Sequence, residues 1–421
     1  MGLKKNGLSL VLPLILVAVI LLFGTRSAGQ EQMEPASSDT RPHYRISVLT
    51  FEPGKDLFSA FGHTAIVVRY MASGQSKVYN FGTFDFRRKD ATWRYIKGDL
   101  NYWLSVSTLS STLKRYRNFG RGALIQRLDL NPDRARWLAK TLEAETHPSR
   151  RHYQYRHFEN NCCIRVRDLI DQATGGKLRS TFEQENTRGS YRQWTRSLMA
   201  DHLFYRVAVD FVLGPAGDRD LTRFEEQFLP RVFSEDLALV SLSEPRRPLV
   251  VDTQRLDPTG RGTTADAHPV VLTVLVGLAV LFVFGVAIPV ALGHGVLSRR
   301  LLGMSLFVWA LFAGALGLLL VFLQTTSHFC THDNENHVLV PLTHLWLVYP
   351  GFRLLFRADI PRKLQWTTTF YLGLSLSALF LYWIGKVCAL FTQENARYFV
   401  PVLVVNLLLF LAMRRSFHRE R

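Results

Sequence analysis

The sequence predicts an α+β exported domain followed by an all-α membrane bundle of about five helices. Three observations carry the prediction: a basic N-terminus running into an apolar stretch, a mixed and aromatic middle section with strand and helix-start signals, and five apolar segments after it. At 421 residues the chain exceeds what one compact core usually holds, so more than one structural unit is expected.

Lys4 and Lys5 precede a nearly uninterrupted apolar run from Leu8 to Phe23, which marks residues 1–26 as a signal peptide or signal anchor. Small residues at Thr25, Ser27, Ala28 and Gly29 permit cleavage, whereas Arg26 and the length of the run suit a retained helix. Residues 40–260 have the turn-rich composition of a globular domain. The remainder, 268–414, holds apolar segments near Pro269–Leu292, Leu301–Leu323, Val338–Phe356, Thr367–Leu390 and Tyr398–Met413, each close to bilayer-spanning length. Pro341, His344 and Pro350 interrupt the third, so a kinked or re-entrant helix is expected there.

Lys and Arg set the orientation, because cytoplasmic loops retain positive charge. With five spans, Arg299 and Arg300, then Arg353, Arg357, Arg362 and Lys363, then the tail Arg414, Arg415, Arg419 and Arg421 share one side, the cytoplasm. The globular domain then lies on the opposite side of the membrane, outside the cytoplasm. Much of the net charge of +17 sits in those loops, and no nucleic-acid motif accompanies it, so no nucleic-acid partner is expected. The basic run Lys114-Arg115-Tyr116-Arg117 and the pair Arg246-Arg247 read either as contacts to anionic headgroups or as a solvated face.

Four cysteines are too few for a disulfide scaffold. Cys388, in an apolar span, reads as packing; Cys330, in an external loop, is free or bonds Cys163. The vicinal pair Cys162-Cys163 is the informative one. Asn160 and Asn161 are good helix caps, Val166, Leu169, Ile170 and Ala173 recur at helical spacing, and Gly175-Gly176 stops the run, so the cysteines open a helix. Backbone N–H groups at a helix start favour thiolate, with pKa values of roughly 3.5–7.5 at such placements.

A thiolate nucleophile needs a base from elsewhere in the fold. His63 follows a small-residue turn and opens the β-branched run Thr64-Ala65-Ile66-Val67-Val68. A second strand, Lys77–Phe84, comes after a turn at Ser73-Gly74-Gln75 and should pair antiparallel with the first, placing Asn80 near His63. Asn80, or alternatively Asp85, would orient the imidazole. A structural cysteine pair and a turn-capping histidine are the bland readings of the same residues. His43, His147, His152, His157 and His202 lack a comparable strand-start setting.

In this order along the chain, Ile46–Thr50, Phe61-Gly62-His63-Thr64-Ala65, Tyr79–Phe86, Gly98–Leu104, Tyr116–Arg121 and Asn161–Asp168 resemble the N-terminal periplasmic domain of the Lnb-type lipoprotein N-acyltransferases. Phe224–Pro230 extends the likeness, which runs from about Tyr44 to Asp236. The resemblance implies a papain-like fold in permuted order, His before Cys, similar to the lecithin:retinol acyltransferase group. It makes Cys162 the nucleophile and His63 the base, with Cys163 incidental or a redox guard. The implied reaction passes an acyl group from a membrane phospholipid or a lipoprotein donor through a Cys162 thioester to the α-amine of a diacylglyceryl-cysteine lipoprotein. No cofactor is expected.

Tyr102 and Trp103 are expected at the rim of the cleft and Arg165 beside the cysteine, with Asn334 and Asn336 from a polar loop that resembles one in relatives completing the substrate contacts. The same loop carries His328, Cys330, His332, Asp333, Glu335 and His337, with His344 beyond it. Its histidine spacing fits no common ligand pattern, so no metal is expected. Two other readings stay open: a membrane-anchored cysteine peptidase or amidase acting on the cell wall, whose cleft would face water, and a non-catalytic receptor or transporter subunit.

Overall fold

A computed structural model describes residues 43–54, 59–85, 87–185, 189–242, 247–256 and 295–415. The N-terminal apolar run, Arg246 and the first apolar segment, Pro269–Leu292, lie outside the described residues. What is described is a mixed α/β sheet domain followed by a helical region.

The sheet domain is built on seven antiparallel strands in the order β6-β4-β3-β2-β1-β5-β9. These are β1 (Tyr44–Phe51), β2 (His63–Tyr70), β3 (Ser76–Thr83), β4 (Asn101–Thr108), β5 (Ala123–Leu128), β6 (His152–Gln154) and β9 (Val250–Leu256). A separate two-stranded ribbon pairs β7 (Ser241–Leu242) with β8 (Arg247–Pro248). The expected hairpin of β2 and β3 is present, its turn closed by Gly74 at φ +68°.

Side chains alternate across this sheet, so each face acquires its own core. Ile46, Val48, Ile66, Val68, Tyr79 and Phe81 pack against α3 (Pro132–Glu145), α4 (Cys162–Ala173) and α9 (Pro230–Leu237). Leu49, Phe51, Ala65, Val67 and Val78 pack on the other face, against Leu109, Leu113 and Tyr116 of α2 (Leu109–Asn118). Shorter helices fill the rim: α1 (Ala91–Lys97), α5 (Lys177–Phe182), α6 (Tyr191–Leu198), α7 (Leu203–Val212) and α8 (Arg223–Glu226).

Four stretches of the helical region are long and apolar enough to cross a membrane. They are α10 (Val296–Leu323), the segment Asn336–Arg357, α13 (Arg362–Val387) and α14 (Ala396–Arg415). The second is interrupted where proline demands it: α11 (Asn336–Leu339) stops before Pro341, a 3-10 turn spans Leu342–Leu347, and α12 (Val348–Arg357) completes it. Glycines on α10 let this broken segment approach closely. A Cβ at Gly317 would lie 2.4 Å from the Val340 carbonyl oxygen and one at Gly303 2.3 Å from the Leu355 nitrogen. Cys388 caps the end of α13 and is exposed rather than packed, because no other part of the described protein covers this end, where Val387 and Leu390 are exposed as well.

The two regions interlock through buried polar groups. Asn334 donates to the carbonyls of Phe211 and Val212, and Asn336 donates to Phe211 at 2.7 Å, tying the end of α7 to the loop before α11. Gln393 and Asn395, before α14, bond the same two asparagines. Arg192, fully buried, pairs with Asp210 and Asp218, and Tyr398 of α14 donates to Asp210. Carbonyls and charges removed from water this way must be satisfied inside, which fixes the geometry of the junction.

Candidate active site

Cys162 is the first residue of α4, and Asn161 caps the helix by accepting the Ile164 N–H at 2.9 Å. Asn161 is itself buried and held by donations to the carbonyls of His157 and Phe228. The helix start is therefore rigid. Cys163 points the other way, wholly buried in the core and accepting from the Thr64 hydroxyl at 3.5 Å.

Backbone N–H groups of Thr64, Cys163 and Cys162 converge on the Cys162 sulfur and favour thiolate. Burial outweighs them and pushes the thiol above its usual range, so the depressed pKa expected of a helix start is not what this enclosed site produces. The helix-start effect is present; desolvation is larger.

His63 opens β2, next to Thr64, whose N–H approaches the sulfur. Its Nε2 lies 2.8 Å from Asn80 Oδ1. The same oxygen takes the Gly82 N–H at 2.7 Å, which identifies that atom as the acceptor. Nε2 must then carry the proton, and Nδ1 is left with a lone pair, the form a general base requires. Asp85, the alternative partner, turns instead to Arg87 at 3.2 Å. Among the described residues, no hydrogen bond joins Nδ1 to the thiol; contacts of this kind commonly tighten only when substrate is bound.

The imidazole lies in a stack. Tyr116 sits 6.0 Å from it, nearly parallel, and 3.4 Å from Phe51. Arg121 lies over the outer part of this stack, 4.9 Å from the Tyr116 ring, and donates to the Glu52 carbonyl. Burial first, and then the Arg121 charge, lowers the His63 pKa to about 4. The resting pair is a neutral thiol and a neutral imidazole. On the opposite side Gly82 makes room, since a Cβ there would stand 2.4 Å from His63 Cε1.

A cavity of about 420 Å³, within the range of small-molecule sites, is lined by neither Cys162 nor His63 and connects to the thiol through two wall residues. Tyr102 and Tyr155, stacked 4.3 Å apart, contribute from the sheet domain, and both feel the charge of Cys162. Phe61, His157 and Phe158 continue this wall, and Leu319, Leu323, Phe329 and Cys330 close the cavity from the helical region.

The remaining sequence-predicted contacts fall elsewhere. Trp103 lies on the opposite face of β4 from Tyr102, against His152 at 6.0 Å, and is not a wall residue. Arg165, one turn past Cys162, covers the Tyr153 ring at 4.7 Å. Asn334 and Asn336 are buried in the interlock described above and do not line the cavity. Of the basic run on α2, Tyr116 turns inward while Lys114, Arg115 and Arg117 are exposed. Cys330 and Cys163 are both free thiols. In the polar loop, His328 and His332 donate to the carbonyls of Tyr95 and Thr326, each at 2.9 Å, so these rings act as ties.

Three contributors escaped the sequence reading. Gly82 stood within the recognised strand but carried no signal of its proximity to an imidazole. Arg121 stood in the recognised Tyr116–Arg121 stretch without a role. His157, set aside for lacking a strand start, reaches the cavity because the turn Tyr155–Asn160 folds against the α4 cap.

Residues 33–198 match the family model of the Lnb N-terminal periplasmic domain. The match contains His63, Asn80, Tyr116, Arg121 and Cys162, and bears out the resemblance over that stretch. With four helices among the described residues long and apolar enough to cross a membrane, the chain is a membrane protein carrying a periplasmic domain of this kind. No curated protein and no solved structure matches it significantly.

Proposed function

We propose that this chain is an inner-membrane lipoprotein N-acyltransferase that works through a Cys162 thioester. The observation that carries the reading is the cavity: an apolar space whose wall tyrosines Tyr102 and Tyr155 feel the Cys162 charge, and which is closed partly by the end of a helix long and apolar enough to cross a membrane. A cell-wall peptidase would need a polar groove open to water, whereas an acyl chain needs an apolar slot reached from a bilayer.

In the first half-reaction His63 Nδ1 takes the Cys162 proton as the sulfur attacks an ester carbonyl of the donor lipid. The C–S bond forms, the C–O bond breaks, and the proton passes from His63 to the departing alkoxide, leaving a thioester and a lyso-lipid alcohol. In the second, the α-amine of a diacylglyceryl-cysteine lipoprotein attacks the thioester. Nδ1 takes one amine proton and returns it to the leaving sulfur, giving an amide and the free thiol. The N–H groups of Thr64 and Cys163 favour the transient thiolate in both halves.

The test is intact mass spectrometry of a model diacylated lipoprotein coexpressed with the wild type or with Cys162→Ser, in cells lacking other N-acyltransferases. One added acyl group with the wild type and none with the variant supports the reading. A free amine in both sinks it.

A further inference from the structure

Two short helices of the sheet domain lie beside the cavity and present apolar side chains away from it. On α1, Trp93 stands outside the cavity wall and is 52 % exposed. On α7, Phe204 and Val207 share a side with Tyr205 adjacent, and Phe204 is 59 % exposed. Such spacing marks the apolar stripe of an amphipathic helix, yet here the stripe faces outward.

Both helices are fastened to the ends of the spans. Trp93 lies 5.9 Å from Phe322 in the last turn of α10, and the Ser327 N–H donates to the Lys97 carbonyl at 2.9 Å. The end of α7 is gripped by Asn334 and Asn336, and Phe211 packs on Tyr398 of α14 at 5.2 Å. Their exposed aromatics thus continue the apolar surface of the spans at the level where the spans end. Aromatic side chains concentrate at that depth of a bilayer. Lys97 lies 4.9 Å over the Trp93 ring, which lets its ammonium reach toward headgroups while the ring stays in the apolar layer.

The inner sides of the same two helices build the cavity: Ile96 from α1, and Val209 and Val212 from α7, with Leu319 and Leu323 of α10 alongside. We infer that α1 and α7 are seated in the periplasm-facing leaflet and form a lateral portal by which a phospholipid acyl chain passes from the bilayer into the cavity walled by Tyr102 and Tyr155. The occupant is membrane phospholipid, because the surface is continuous with that of the spans. This rests on the proposed acyl transfer for its purpose, but not for its test.

The full-length protein is reconstituted into phosphatidylethanolamine–phosphatidylglycerol vesicles containing a phospholipid with a photoactivatable diazirine in its acyl chain, and adducts are mapped by peptide mass spectrometry. Adducts on Ala91–Lys97 and Leu203–Val207, as well as on the spans, are expected; adducts confined to residues 296–415 would overturn the portal. A Trp93→Ser/Phe204→Ser/Tyr205→Ser variant is then compared with the wild type for thioester formation on Cys162. Loss of about tenfold with vesicle-borne donor, and less than about twofold with a water-soluble short-chain ester, is expected. Equal loss with both donors would overturn it. Labelling needs no turnover, so a wild type that labels at the portal but never forms a thioester would refute the acyl transfer alone.

Discussion

His63 and Asn80 are joined by a 2.8 Å hydrogen bond between neighbouring strands, and its direction is fixed by the Gly82 N–H on the same oxygen. Asn80 therefore decides which imidazole nitrogen can act as a base. Asn80→Ala frees the ring to rotate and change tautomer, and kcat should fall about tenfold to a hundredfold, part of the 10²–10⁴ that positioned acid–base catalysis typically supplies. Acyl transfer by purified protein in vesicles measures it; unchanged kcat would remove Asn80 from the site.

Gly82→Ala should cost at least as much with little loss of fold. A methyl group 2.4 Å from His63 Cε1 and 3.1 Å from Asn80 Oδ1 cannot coexist with the observed ring position, and the ring or the irregular stretch of β3 between Asn80 and Thr83 must shift. Circular dichroism and thermal unfolding should remain near wild type while turnover drops.

The pH profile follows from the low His63 pKa. Above about 4 the imidazole is neutral and able to take the thiol proton, so kcat/KM should fall only as pH drops through about 4, well below the ordinary histidine range. Because the Arg121 charge helps hold that value down, Arg121→Gln should move the acid limb to higher pH. A limb near 6.5 in the wild type would contradict the buried, neutral pair.

Asn336→Ala tests the interlock. The side chain is wholly buried, donates to the Phe211 carbonyl and accepts from Asn395 at 2.8 Å. Leaving such partners unpaired costs about 1–3 kcal/mol. A lowered unfolding temperature in detergent is expected, whereas Asn336→Ala unfolding like wild type would mean that water replaces the bonds.

Met199 lines the cavity and is buried. Met199→Trp narrows that space, so the preferred acyl donor should become shorter, read as a shifted ratio of rates with long-chain and short-chain phospholipids. An unshifted ratio would place the acyl chain elsewhere.

How far the sequence could be read depended on whether a signal was local. Asn161, the spacing of Val166, Leu169 and Ile170, and Gly175-Gly176 define α4 by caps and periodicity alone, so the placement of Cys162 was legible. The Ser73-Gly74-Gln75 turn set the pairing of β2 and β3 and brought Asn80 to His63. The thiol's environment was not legible, because desolvation depends on what distant parts of the chain bring to it, Tyr102 and Tyr116 before it and Arg121 beside them among these. For the same reason Asn334 and Asn336 looked like substrate contacts. Their partners, the Phe211 and Val212 carbonyls, are backbone groups that no side-chain motif announces.

That the cavity takes walls from both regions has a consequence for biogenesis. The sheet domain precedes the described spans in the chain and leaves the ribosome first, while Leu319, Leu323 and Phe329 arrive later. Until those spans are inserted, the cavity lacks the walls that Leu319, Leu323 and Phe329 supply. Completion of the cavity is thereby coupled to membrane integration, and a sheet domain released by proteolysis would leave the bilayer with only one of the cavity's walls.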